Sequence, residues 1–139
     1  MMRQIQEEGV CPFCPEELAL RDPTPLIWQG EHWVIKPNRW KYEHTKLHLL
    51  VIAKTHVEKL REVTPEMWEE LGRALIWIEV EHEIRSGALA MRFGEIDYNG
   101  ATVAHLHAHV IVGDHDAPDF ETVRFKVAAR PVPKNDPGE

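Results

Sequence analysis

The run His105-Leu106-His107-Ala108-His109-Val110-Ile111-Val112 decides how this chain is read, because histidine recurs in it at every second position. In a β-strand successive side chains point to opposite faces, so the three imidazoles line one face at steps of ~6.6 Å while Leu106, Ala108, Val110 and Val112 line the other. One face packs into a core and the other carries chemistry. The β-branched Val110, Ile111 and Val112, with Gly100 on one side and Gly113-Asp114 on the other, support the strand. A helix would scatter the histidines around its circumference. Imidazole, with an unperturbed pKa of ~6.5, can be nucleophile, acid, base or metal ligand near neutral pH. The competing reading is a solvated polar face whose histidines alternate by chance.

Working outward, residues 32–36 read as a strand, 37–46 as a turn region and 47–53 as a strongly apolar strand. Thr64-Pro65 is a helix start, with threonine as N-cap and proline at the first helical position. Trp68, Leu71, Leu75, Ile78 and His82 recur at three- and four-residue spacing, so one amphipathic helix runs on to Ser86-Gly87. Its outer face pairs Glu69 with Arg73 and Glu81 with Arg85, and Glu79, Glu81 and Glu83 belong to a solvated face. Residues 89–96, the histidine run and 121–129 complete the strands. The order predicts an α+β fold: an antiparallel sheet of about five strands with one long helix packed on it.

Composition bounds the rest. With 139 residues, 43% of them hydrophobic, the chain suits a single domain over 1–139. The first residues lack the apolar core of a signal peptide, and no stretch is long enough to cross a bilayer, so a cytoplasmic protein without membrane partners is expected. A net charge of -7 argues against a nonspecific nucleic-acid binder, which needs a cationic surface. A small anionic ligand remains compatible, because Lys36, Arg39, Lys41, Lys46 and Lys54 fall in a segment whose only acid is Glu43.

Two further blocks carry chemistry: Cys11-Pro12-Phe13-Cys14, holding the chain's two cysteines, and His48-Leu49-Leu50-Val51-Ile52-Ala53-Lys54-Thr55-His56. The cysteine pair reads as half of a zinc site, as a redox pair resembling a glutaredoxin active site, or as chance. A redox pair of that kind stands between a strand and a helix, whereas here the preceding segment is short and polar and Pro15 follows directly. A structural zinc needs four thiolate or imidazole ligands, so two more must come from elsewhere. A rival reading puts His105, His107 or His109 and His48 on a catalytic metal with an open position, and leaves both cysteines without a role.

Together the three blocks, spanning about residues 11–113, resemble the zinc-containing bacterial branch of the histidine triad (HIT) superfamily of nucleotide hydrolases and transferases. The resemblance implies that His107 attacks the α-phosphorus of a nucleotide to form a covalent nucleotidyl-histidine, which water hydrolyses. It implies that His109 contacts phosphate and passes a proton to the leaving group. It gives Cys11, Cys14, His56 and His105 as ligands of a structural zinc. It further implies Phe13 in a purine pocket, Asn38 at the ribose, Asn99 and Thr102 at the phosphates, a purine nucleotide or nucleotide conjugate as ligand, and a homodimer. Asn99-Gly100 is also a common turn pair, and Phe13 also reads as plain core.

The chain departs from the family pattern at three places. Gly100-Ala101-Thr102-Val103 lacks the usual glutamine before the triad, so the resemblance does not carry cleavage of dinucleoside polyphosphates. Ala53 replaces a common proline, and Lys36 stands where relatives more often have an apolar wall. The activity expected is transfer of a nucleoside monophosphate from a phosphoanhydride or phosphoramidate to water. The alternative is a nucleotide-binding or sensing protein with little turnover.

Overall fold

The computed structural model describes residues 11–128. The elements are α1 (Pro15–Arg21), β1 (Trp28–Gln29), β2 (Trp33–Pro37), β3 (Thr45–Ala53), a 3-10 turn at Leu60–Glu62, α2 (Pro65–Glu81), β4 (Ala88–Met91), α3 (Ile96–Asn99) and β5 (His107–Gly113). The strands form one antiparallel sheet in the order β1-β2-β3-β5-β4. The α+β class, the five-stranded antiparallel sheet and the single long helix are as the sequence pattern predicts. No helix of the described residues is long and apolar enough to cross a membrane.

Strand parity sorts the side chains into two layers. Trp33 and Ile35 of β2, Leu49, Val51 and Ala53 of β3, and Ala108 and Val110 of β5 join Met67, Leu71, Ala74 and Ile78 of α2 in the main core. On the opposite face Val34, Leu50 and Ile52 pack with Phe13, Leu18 and Val103 in a smaller cluster under α1. The histidines of β5 share this second face. Thr64 caps α2 as expected, its hydroxyl accepting from Met67 N at 3.1 Å, with Pro65 at the first position.

Several expectations are corrected. Helix α2 stops at Glu81, short of Ser86-Gly87. The Ile84 amide donates to the Glu79 carbonyl and the Glu83 amide to Val80, while Glu83 takes a left-handed φ of 48°, so a Schellman motif closes the helix without a glycine. Arg85 therefore lies beyond the helix and its predicted pairing with Glu81 is absent, whereas Glu69 pairs with Arg73. The strand expected at 89–96 ends at Met91, and Ile96 opens a short helix instead. Residues 121–128 form no strand, and Ala129, the last of that predicted strand, lies outside the described residues. The fifth strand is β1, paired with β2 through Trp28↔Ile35 and Gln29↔Val34.

One contact between sheet and helix was hidden in the amphipathic pattern. Glu70 of α2 is buried, and its carboxylate accepts from the backbone amides of Glu31, His32 and Trp33 at 2.9, 2.9 and 2.8 Å. A Cβ at Gly30 would run into the Glu70 carboxylate and the Trp28 ring, so glycine leaves room for this close approach. Glu70→Ala leaves buried amides unpaired and is expected to cost about 2–3 kcal/mol, read as a lowered urea midpoint at unchanged slope.

Candidate functional site

The site lies where β3 and β5 run side by side, with Leu50 opposite His109 and Ile52 opposite His107. Parity brings His48 of β3 to the same face, and its Nε2 stands 2.8 Å from His109 Nδ1. The rings of His107 and His109 are 5.0 Å apart. His105 precedes β5 and does not continue this row; its ring turns toward the amino-terminal cysteines.

Backbone groups of known polarity settle the tautomers. The His105 carbonyl can only accept, so His107 donates to it from Nδ1, at 2.7 Å, and keeps a lone pair on Nε2. The Tyr42 amide donates to His48 Nδ1 at 3.2 Å, so His48 carries its proton on Nε2 and donates to His109 Nδ1. The proton of His109 is thereby placed on Nε2. That nitrogen is buried without a hydrogen-bond partner among the described residues. A buried donor left unpaired costs free energy unless a ligand meets it. A neutral nucleophilic nitrogen and an unsatisfied N–H thus stand on adjacent rings.

Burial holds all three imidazoles in the neutral form. It lowers His48 to about 4 and His107 to about 4, the latter against the opposing effect of the His105 carbonyl, and His109 is lowered further by burial and by His107, His48 and Arg92.

The four predicted metal ligands converge. Cys11, Cys14, His56 and His105 each offer a ligand atom, all within 4.8 Å of one another. Cys11 Sγ is 3.3 Å from His105 Nδ1, Cys14 Sγ is 3.4 Å from His56 Nδ1 and 3.7 Å from His105 Nδ1, and the two Nδ1 atoms are 3.2 Å apart. A tetrahedron with metal–ligand distances of about 2.0–2.3 Å has edges of about 3.3–3.8 Å, so these separations suit one small cation. The outer partners agree. His105 donates from Nε2 to the Ala53 carbonyl at 2.6 Å, and His56 donates from Nε2 to Glu58 at 2.8 Å, which leaves both Nδ1 lone pairs facing the sulfurs. Burial and the neighbouring Cys11 push the Cys14 thiol up to about 11, a cost that a bound divalent cation offsets. The two imidazoles facing the sulfurs favour a metal over a redox pair, whereas the expected lack of a following helix does not hold, since Pro15 is itself the first residue of α1. Metal binding by His107, His109 and His48 finds no such cluster among the described residues.

The remaining residues divide. Phe13 lies edge-on to His107 at 4.8 Å and lines a cavity of about 390 Å³ with Leu18, Val34 and Lys36. Asn38 sits beside His48, its amide nitrogen 3.3 Å from Nε2. Asn99 is engaged within its own loop, donating to the Phe93 carbonyl and accepting from the Ala101 amide. Thr102 is exposed in the loop leading to β5. The basic middle does not converge on the triad: Lys36 is buried against Asp22 at 3.2 Å, Lys54 donates to the Gly30 carbonyl, and Arg39 lies over Trp40. Sequence reasoning missed Tyr42, Arg92 and Phe125. Tyr42 stacks on His109 at 5.7 Å and Phe125 meets it edge-on at 5.1 Å. Strand parity across 48–52 could have placed His48; no sequence signal pointed to Phe125, which sits in a segment without regular structure.

Comparison with known proteins follows the same lines. The HIT domain family matches residues 42–116. An uncharacterized HIT-like protein of Chlamydia muridarum is 24% identical over 90 residues, 63% of this chain and 69% of that protein. Among solved structures, a HIT family hydrolase from Clostridium thermocellum superposes with a TM-score of 0.62 at 21% identity, covering 78% of this chain and 95% of the other. A Zn-bound histidine triad family protein from Mycobacterium smegmatis superposes at 0.60 and 24% identity, covering 83% and 82%.

Cobalt(II) added to chelator-treated protein is expected to give sulfur-to-metal absorption and a raised melting temperature, and Cys14→Ala to lose both. Acid should destabilise the chain. The unfolded histidines take up protons near their ordinary pKa of about 6.5, while folded His48 and His107 resist until about 4. The urea midpoint is therefore expected to fall as pH drops from about 6.5 toward 4, with no such slope above pH 7.

Proposed function

This chain belongs to the HIT domain family, and on that premise we propose that it is a single-domain nucleotide hydrolase or nucleotidyltransferase acting at an α-phosphate through His107. The observation that carries this reading is the pair of fixed tautomers: His107 bound to a carbonyl through Nδ1, and His109 with its Nε2–H buried and unpaired. A neutral imidazole nitrogen is a competent nucleophile near pH 7 and needs no separate base.

In the proposed reaction His107 Nε2 attacks the α-phosphorus, and a phosphorus–nitrogen bond forms as the bond to the leaving group breaks. His109 Nε2–H stabilises the developing oxygen charge by donating a hydrogen bond, and the leaving atom departs with the electron pair of the broken bond. Water then attacks the same phosphorus, releases nucleoside monophosphate and restores His107. The His48-His109 hydrogen bond keeps the donor in register.

The nucleobase is assigned to the cavity beside Phe13, the ribose to Asn38, and the phosphates to His109, Thr102 and the loop holding Asn99. Zinc is the proposed metal of Cys11, Cys14, His56 and His105; when bound it would tie the amino-terminal segment to the end of the triad loop, with all four ligand positions filled by protein. A homodimer is proposed through the edge strand β4 and the outer stripe of α2. Leu89, Ile76 and Val80 are 62%, 62% and 69% exposed there, more apolar surface than a lone helix face needs.

Brief exposure of the protein to a panel of purine nucleotides and nucleoside phosphoramidates, followed by intact-mass measurement, is expected to trap a nucleoside monophosphate adduct on His107. His107→Ala should abolish the adduct and lower turnover at least about a thousandfold, with zinc content and melting temperature retained. Tight nucleotide binding with neither adduct nor hydrolysis across the panel would instead establish the binding or sensing alternative.

A further inference from the structure

Arg92, the residue directly after β4, packs against Phe125 beside the triad's outer ring. Its guanidinium carbon lies 3.9 Å from the centre of the Phe125 ring, and the other side of that relation is His109, 5.1 Å from the same ring. A fixed positive charge and the ring of His109 thus share one aromatic neighbour.

The environment of Arg92 is unusual for a structural arginine. Nε donates to the Lys126 carbonyl at 2.7 Å, and no carboxylate of the described residues lies within ion-pair distance of it. Gly100, at φ 79°, lets the loop before β5 close on the same group; a Cβ there would stand 3.3 Å from Lys126 Cβ and 3.8 Å from Arg92 Nε. Residues 121–128 form neither helix nor strand, and Arg92 contacts them through the Lys126 carbonyl and the Phe125 ring. A guanidinium has five donors in a planar fork suited to phosphate oxygens, and a carbonyl together with an aromatic face matches it far less well.

We propose that Arg92 binds the phosphate group beyond the scissile bond, exchanging the Phe125 ring and Lys126 carbonyl for the anionic leaving group of the substrate. The proposal rests on attack by His107 at the α-phosphorus and adds the class of leaving group: a phosphate or polyphosphate in preference to a neutral amine. As the anhydride bond breaks, the departing oxygen carries away the electron pair, and its negative charge is met by Arg92 while the His109 N–H hydrogen-bonds the phosphoryl oxygen. In this proposal Phe125, which packs edge-on to His109 and against the guanidinium, moves aside as a phosphoryl oxygen approaches the His109 N–H, and the same movement frees the guanidinium. One displacement therefore completes both contacts.

The test compares a nucleoside phosphoanhydride with a nucleoside phosphoramidate of an uncharged amine, since both pass through the same adduct. Arg92→Ala is expected to shift the ratio of their kcat/KM values about a hundredfold against the phosphoanhydride, and Arg92→Lys to recover part of the shift. Phe125→Leu, which removes the ring contact and leaves the guanidinium, should keep the preference for the phosphoanhydride. Binding gives a readout independent of turnover. In a His107→Ala background, Arg92→Ala should weaken ADP by about tenfold while AMP changes much less. Equal losses on both substrates and both nucleotides would show that Arg92 only holds residues 121–128 in place, and no change on either would also overturn the proposal. Failure of wild-type protein to form any adduct, with Arg92 still separating ADP from AMP, would remove the hydrolytic reading and leave the anion site standing.

Discussion

The antiparallel pairing of β3 with β5 is the constraint on which the rest depends. It runs from Thr45↔Gly113 to Ile52↔His107 and places β5 between two neighbours, with β4 on its other edge. Because side chains alternate, a slip of one residue would carry His107 and His109 under α2 and push Ala108 and Val110 out of the main core. The apolar residues that hold the register are therefore the ones that aim the histidines. Fold and site share one set of hydrogen bonds.

Within that frame, the main chain decides what each imidazole can do. A carbonyl directs the proton of His107, another directs that of His105, and the amide of Tyr42 acts through His48 on His109. The three triad members consequently differ although their sequence surroundings are alike. His105 presents a lone pair to two sulfurs, His107 keeps one on Nε2, and His109 presents a proton. Burial keeps them neutral, so the differences are in tautomer and not in charge.

Covering the second face of the sheet is a separate structural problem, met by short and irregular pieces. Helix α1, the cysteine turn and Phe13 cover one part, and the segment carrying Phe125 covers another. Lys36 belongs to this layer: at 1% exposure it is paired with Asp22, which burial alone would raise but which Thr24 and Lys36 bring below the usual carboxylate range. A charge so placed cannot serve as a surface phosphate ligand, which is why the cluster of basic residues in the sequence did not become an anion patch.

Alternation in the histidine run was enough to determine the strand, the two-layer arrangement of its side chains and the divided roles of its faces, because period-two parity is a local property of the backbone. Thr64-Pro65 likewise determined the start of α2 by satisfying its first amides locally. The cysteine pair determined that a metal site was worth expecting, and the likeness to the histidine triad family named its partners. Only the tertiary structure decided what depends on distant chain segments. It set the end of α2 at a left-handed Glu83, turned Glu70 inward to three amides of a hairpin about 40 residues away in sequence, and recruited β1 as the fifth strand. It also placed Arg92 against the Phe125 ring that meets His109. Such choices are settled by which surfaces meet after the sheet forms, and a hydrogen bond or ring contact between residues 34 or 61 positions apart leaves no periodic trace in the sequence.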